Sequence, residues 1–260
     1  MIESNANAQI KKIQKLKKSA RFRRQERLFI VEGWKMTEEA LNRGLVRSLY
    51  FSVSGEKEYA GRLSGYGREV PSEILSDRLF SELTDTVTPQ GVLAVVEMPQ
   101  YDRAQFAHSK NAALLCLEDI QDPGNLGTMV RTAEGAGMTG IVLSKGCVDL
   151  FNPKVVRSTM GALFRVPFFF CDEITTNVEL LKKEGFTIYA AHPRGQKMFT
   201  EETYLGRVGI LIGNEANGLS EELSNLADKR VRIPMEGQLE SLNAAVSAAL
   251  FMYEVHRNRR

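Results

Sequence analysis

Residues 113–144 read ALLCLEDIQDPGNLGTMVRTAEGAGMTGIVLS, two apolar runs with a turn and a helical pattern between them. Ala113–Leu117 is an uninterrupted apolar run of strand length, and Gly140–Leu143 is a second. Between them Pro123, Gly124 and Gly127 supply a turn, and a helical pattern covers Asn125–Gly137. Asn125 is a candidate cap for that helix, with Arg131 about one and a half turns in. Strand, turn, helix and strand in this order form a crossover unit, which puts the two strands parallel in one sheet.

The hexapeptide GAGMTG at Gly135–Gly140 satisfies the dinucleotide fingerprint literally, but its context is reversed. That fingerprint needs a strand before the glycines and a helix after them, so that helix-end amides face a pyrophosphate. Here the helix comes first and the strand follows. The glycines are therefore read as a helix C-terminal cap.

The same alternation continues downstream. Strand-like runs fall at Val166–Phe170, Thr187–Ala191, Gly209–Ile212 and Arg230–Ile233, with helical patterns at Pro153–Gly161, Thr176–Glu184 and Ser220–Ala227. Residues 112–260 thus read as an α/β domain with a parallel sheet covered by helices on both faces. Ligands in such sheets gather beyond the carboxyl ends of the strands, so the loops after residues 117, 143, 191, 212 and 233 are the ones to inspect. Upstream, short apolar runs at Leu28–Val31, Ser48–Val53, Arg68–Pro71 and Val92–Val96 accompany a helical pattern at Lys35–Arg43. They suggest a smaller α/β domain over residues 28–98, followed by a polar linker at 99–111.

The whole chain of 260 residues carries a formal charge of only +2, which hides an asymmetry. Residues 1–27 hold nine Lys and Arg against Glu3 and Glu26, a formal +7, leaving −5 for the rest. Ile10, Ile13 and Leu16 recur at helical spacing within this basic arm. Clustered cations either form a solvated helix face or bind nucleic-acid phosphates by displacing condensed counterions. No apolar stretch approaches membrane-spanning length, and the polar N-terminus has no signal-peptide pattern. Cys116, Cys147 and Cys171 lie far apart in apolar surroundings and read as reduced thiols of a cytoplasmic protein. His108, His192 and His256 are too scattered to suggest a metal site.

Two further segments carry candidate chemistry. GILIGNEANGLSEEL (209–223) ends an apolar strand in Gly213, followed by Asn214, Glu215 and Gly218. RIPMEGQLESLNAAVSAALFMYE (232–254) runs from a strand through a glycine-containing loop into a helix starting near Ser241. Ser241 and Asn243 place polar groups at the helix start. Leu242, Val246, Ala249, Leu250 and Tyr253 share one apolar face, fit for a core or a dimer contact.

The ordered set of NLGTMVR (125–131), NPKVVRSTMGALFRVP (152–167), GNEANGLS (213–220) and IPMEGQLESLN (233–243) resembles the SpoU/TrmH family of RNA ribose methyltransferases in the SPOUT superfamily. IVEGWKM (30–36) and TPQGVLAVVE (88–97) look like the edges of that family's L30e-like substrate-binding domain. The resemblance covers roughly residues 25–255. It implies a SPOUT-type sheet with a C-terminal trefoil knot, one of the few exceptions to unknotted topology, formed by the Gly213 loop and the Ile233–Asn243 loop. It also implies S-adenosylmethionine held largely by backbone groups at Gly213, Ile233 and Leu242, with no metal.

Asn125, Arg131, Glu215 and Asn243 match the family's polar motif positions. The implied reaction is methylation of a ribose 2′-hydroxyl in ribosomal or transfer RNA, by a homodimer joined through the methyltransferase domain. Family proposals make the arginine matching Arg131 the base, helped by an RNA phosphate. Because guanidinium stays protonated near neutral pH, a cation that orients a phosphate and stabilises alkoxide is the competing role. Ala245 departs from the hydroxyl common at its position, so no role of that hydroxyl carries over. The alternative to an enzyme is an RNA-binding assembly factor that keeps the fold without turnover.

Overall fold

The computed structural model describes residues 1–66, 70–86, 88–102 and 109–260. The chain divides into two compact units, Met1–Gln100 with Phe151–Phe164, and Tyr101–Leu150 with Arg165–Arg260.

In the first unit, α1 (Ala8–Lys18) and α2 (Ala20–Glu26) precede β1 (Leu28–Glu32), α3 (Trp34–Asn42) and β2 (Val46–Ser52). Then come α4 (Val53–Tyr59), β3 (Ser72–Leu75), α5 (Asp77–Leu83) and β4 (Val92–Glu97). The sheet order is β1-β4-β2-β3, antiparallel except for the β2–β3 pair. Asn7 starts α1 by accepting from the Gln9 amide. Ile10, Ile13 and Leu16 are fully buried and share a core with Ile30, Tyr50, Leu79 and Leu93.

Residues 1–27 are therefore packed on the sheet rather than standing apart as an arm, because a stripe of three apolar residues gains more from burial than from exposure. Of the nine cations, Lys12 pairs with Glu26, Lys17 with Glu32 and Asp85, and buried Arg23 donates to the Leu16 carbonyl. The expected run Arg68–Pro71 falls partly on residues 67–69, outside the described residues, and the strand begins at Ser72. The short helix Pro153–Ser158 packs on β1, and the Phe151 and Phe164 rings lie 4.9 and 6.0 Å from Phe29. These aromatic contacts draw residues 151–164 into the first unit, although they sit within the 112–260 stretch of sequence.

The second unit is built on β5 (Ala113–Leu117), β6 (Gly140–Ser144), β7 (Phe168–Cys171), β8 (Thr187–Ala191), β9 (Lys197–Met198), β10 (Val208–Ile212) and β11 (Lys229–Arg232). Their order is β7-β6-β5-β10-β8-β11-β9, and every neighbouring pair is parallel. Every residue of β5, β6 and β10 is buried, as expected for strands covered on both sides. Leu114, Cys116, Val142, Ile188 and Leu211 pack with Ile174, Val178 and Leu181 of the helix Ile174–Lys183 and with Leu223 of the helix Glu221–Leu226. The alternate residues Leu115, Leu117, Ile210 and Ile212 are equally buried. By strand periodicity they face the other side, where the helices Pro123–Gly135 and Ala244–Asn258 pack together.

The chain leaves β5 towards β6 and β7, then returns to build the opposite half of the sheet. The strand order reverses at the β5–β10 pair, the position where open α/β sheets part to admit a ligand.

The glycines at 135–140 do cap a helix. Gly137 takes φ 73°, the Met138 amide reaches the Ala133 carbonyl at 2.9 Å, and β6 begins at Gly140. Cys116 and Cys171 are buried, and no disulfide joins the three cysteines. Burial pushes the Cys171 thiol up to about 11. Among the described residues, no helix is long and apolar enough to cross a membrane.

Candidate functional site

Four loops leave the carboxyl ends of β5, β8, β10 and β11, and three of them enclose a cavity of about 360 Å³. Gly213, Ile233 and Leu242, the three expected cofactor positions, all line it. Ile212 and Phe251 add apolar wall, while Glu215, Ser241, His192 and Arg194 supply polar groups. That volume lies within the roughly 300–1,000 Å³ typical of small-molecule sites.

Gly213 is required by its surroundings. A Cβ there would lie 2.2 Å from the Gly218 carbonyl carbon and the Leu219 nitrogen, so the 213–219 loop folds tightly over its own first residue. A valine would collide with backbone instead of merely filling the crevice. Gly218, at φ 69°, makes the return turn, and its amide bonds the Asn214 carbonyl at 2.9 Å.

Glu215 ties this loop to the one after β5. Its carboxylate accepts from the Gln121 amide, the Asp122 amide and Asn125 Nδ2, each at 3.0 Å. Partial burial works to raise its pKa, but the hydrogen bonds from Asn125, Gln121 and Asp122 outweigh it and hold the carboxyl below its ordinary 4.5. Asn125 in turn accepts at Oδ1 from Asn243 Nδ2 at 3.0 Å. Asn243 Oδ1 accepts from the Ala245 and Val246 amides and so caps the helix Ala244–Asn258. Glu215, Asn125 and Asn243, from three separate motifs, thus form one hydrogen-bonded chain.

Two expectations about caps change. Asp122, rather than Asn125, caps the helix Pro123–Gly135, accepting from the Asn125 amide at 2.8 Å; this frees the Asn125 side chain for Glu215 and Asn243. Ser241 lies before the cap and faces the cavity. Ala245 is 3% exposed, so a hydroxyl there would need a buried partner.

Arg131 is not brought into this cluster. Six residues beyond Asn125, it stands about 9 Å further along the helix and about 120° around it, by helical geometry. Its side chain is exposed and makes no hydrogen bond or ion pair among the described residues. His192 and Arg194, on the loop after Ala191, also line the cavity, and no pattern in the sequence singles them out. His192 Nδ1 accepts from the Arg194 amide at 3.0 Å, and burial together with Arg194 and Arg230 lowers its pKa. His108 lies outside the described residues.

Comparison with known proteins agrees with this geometry. Residues 112–253 match the SpoU rRNA Methylase family, and residues 7–94 match the MRM3-like substrate binding domain. The chain is 34% identical to the 23S rRNA (guanosine(2553)-2′-O)-methyltransferase RlmP of Bacillus subtilis, over 98% of each chain. It is 28% identical to the mitochondrial rRNA methyltransferase 3 of Mus musculus, covering 94% of this chain and 70% of that one. Among solved structures it resembles the SpoU methyltransferase AviRb of Streptomyces viridochromogenes in complex with AdoMet. There the TM-score is 0.89 at 28% identity, covering 97% of this chain and 98% of that one. The AdoMet-bound rRNA methyltransferase of Sinorhizobium meliloti gives a TM-score of 0.88 at 28% identity, over 98% and 97% of the two chains. With a family model matched over residues 112–253 and a relative 34% identical over 98% of each chain, the chain belongs to the SpoU rRNA methylase family.

Proposed function

We propose that the protein transfers the methyl group of S-adenosylmethionine to a ribose 2′-hydroxyl in ribosomal or transfer RNA. The observation that carries this reading is convergence: Gly213, Ile233 and Leu242 line one cavity, and the Glu215–Asn125–Asn243 chain is joined to it through Glu215.

The cavity fits the cofactor chemically. Its apolar wall of Ile212, Ile233, Leu242 and Phe251 suits a flat adenine, and Gly213 lets the loop at the cavity wall close tightly on its own backbone. When bound, the cofactor supplies an electrophilic methyl carbon on a sulfonium. The chain's own residues hold the reactants and manage the proton. Glu215, already satisfied by three donors and held ionised, is a poor base at neutral pH and serves to fix the two loops. Asn125 and Asn243 complete that frame. Arg131, a cation free to meet an incoming phosphate or alkoxide, is the residue we assign to the reaction itself. The Gly213 loop and the Ile233–Asn243 loop are the segments we assign to a trefoil knot.

RNA is the partner favoured by the exposed cations Lys11, Lys15, Lys18, Arg21, Arg24 and Arg27 on the first unit. A homodimer through the second unit is supported by the last helix, where Val246, Leu250 and Tyr253 are 49%, 37% and 52% exposed. This is the apolar face that the sequence left open between core and dimer contact. We place the protein in the cytoplasm, with its RNA. The test is to map 2′-O-methylation in total RNA from cells with and without the gene. One missing mark in the deletion strain, restored by the wild-type gene, supports the reading; identical maps overturn it.

A further inference from the structure

The loop that follows β5 contains a residue in an uncommon backbone conformation. Asp119 has φ 52°, in the left-handed region that L-residues other than Asn and Asp seldom adopt. It is held there by a reciprocal pair of hydrogen bonds. The Asp119 amide donates to Ser144 Oγ at 2.9 Å, and that hydroxyl donates back to Asp119 Oδ1 at 2.6 Å. Ser144 is the last residue of β6 and is only 6% exposed, and besides Asp119 its hydroxyl meets Cys147 Sγ at 3.6 Å. Gly146 closes the other side, since a Cβ there would lie 2.0 Å from Asp119 Oδ1.

The turn at Asp119 decides what the following groups face. Its carbonyl accepts from Asn214 Nδ2 at 2.8 Å and from Gln121 Nε2 at 3.3 Å. The next free amides, Gln121 and Asp122, point at Glu215. One residue earlier, Glu118 accepts from the Ser220 amide at 2.7 Å. The β5 loop is thus fastened to the 213–220 loop at several points, and the direction of all those beyond Glu118 depends on the left-handed turn. Extended backbone at 119 would continue the strand and turn the carbonyl away from Asn214.

We propose that Asp119, locked by Ser144, is a positioning residue for methyl transfer: it sets the β5 loop so that Glu215 and Asn125 hold the two loops in the arrangement that methyl transfer needs. It touches neither cofactor nor RNA in this proposal, which rests on the methyl-transfer reading above. Misplacing a reacting frame by about 1 Å can cost on the order of 10²-fold in rate, while ground-state binding of each reactant is affected less.

The experiment compares Asp119→Ala, Asp119→Asn and Ser144→Ala in the full chain. It measures kcat, KM for RNA, calorimetric affinity for S-adenosylmethionine and amide exchange at Gln121 and Asp122. For Asp119→Ala and Ser144→Ala we expect kcat to fall at least about tenfold, with both affinities within about twofold of wild type. Asp119→Asn should retain kcat within about threefold, because Asn tolerates the left-handed region and its Oδ1 can accept from Ser144. A purely structural defect would weaken S-adenosylmethionine binding and raise KM for RNA along with lowering kcat. Wild-type kcat in Asp119→Ala, or an Asn variant as slow as the Ala variant, would overturn the proposal. If the wild-type protein methylates no RNA, the activity reading fails separately. The positioning role is then judged by exchange: faster exchange at Gln121 and Asp122 in Ser144→Ala supports it, and unchanged protection overturns it.

Discussion

Asn243 donates to Asn125 at 3.0 Å across 118 residues of sequence, while the same Asn243 side chain caps the last helix through its oxygen. One amide group thus performs two tasks with its two ends. A substitution that keeps one end and changes the other separates them. Asn243→Asp keeps the capping oxygen but loses the donor to Asn125, so thermal stability should stay near wild type while methylation falls. Asn243→Ala loses both and should also cost about 1 kcal/mol of stability. Equal activity in Asn243→Asp and wild type would remove the Asn125 link from function.

Arg131 should be needed for turnover and not for cofactor binding, since it stands on a different side of its helix from Asn125. Arg131→Ala is expected to lower the methylation rate by roughly 10²–10⁴-fold if the residue acts in proton transfer. Arg131→Lys then divides the roles. Substantial rescue points to simple positive charge, and none points to guanidinium geometry. Unchanged calorimetric affinity for S-adenosylmethionine in both variants completes the test.

Gly213→Val should abolish cofactor binding and also lower the melting temperature. The added side chain meets the backbone at Gly218 and Leu219, so the loop must open before the valine can fit. Calorimetry with unchanged affinity would take the Gly213 loop out of the binding site.

Glu215 gives a pH dependence whose sign follows from its lowered pKa. A carboxyl held below its unfolded value contributes order that is fully present above that value, near 4.5, and is lost as pH falls through the lower folded value. Amide protection at Gln121 and Asp122 should therefore persist at neutral pH and decline only on the acid side of 4.5. In Glu215→Gln the protection should be weaker at neutral pH and flat across that acid range. A decline in wild type centred near neutrality would contradict the assignment.

The basic helices call for a test that leaves the core intact. Deleting residues 1–27 would remove Ile10, Ile13 and Leu16 from the first unit, so truncation would confuse unfolding with lost charge. Replacing exposed Lys11, Lys15, Lys18 and Arg21 with Gln avoids this. If all four meet phosphates, the salt slope of log K for RNA should shrink in magnitude by roughly 3, at about 0.7 per phosphate for single strands. Identical slopes would make the face a solvated one.

The parallel sheet and the position of its ligand loops are legible in the order of residues along the chain. Ala113–Leu117 and Thr187–Ala191 are legible to the residue because largely buried strands are written as apolar runs bounded by turn residues. The two-residue β9 carries no such run, and α4 has only Val53 and Tyr59 as apolar residues. Gly213, Ile233 and Leu242 came from the family resemblance, and the structure places all three on one cavity.

Which polar side chains meet depends on the folded backbone. Helix capping is a local choice among neighbours, and Asp122 and Asn125 are both competent caps by residue type. The contest was settled by Glu215, ninety residues away, which takes the Asn125 side chain. Residues 151–164 likewise joined the first unit through Phe29, a contact that no local pattern encodes. Burial periodicity is written along the chain and can be read there. Pairings between distant polar groups depend on where the folded backbone puts them, so they emerged only in three dimensions.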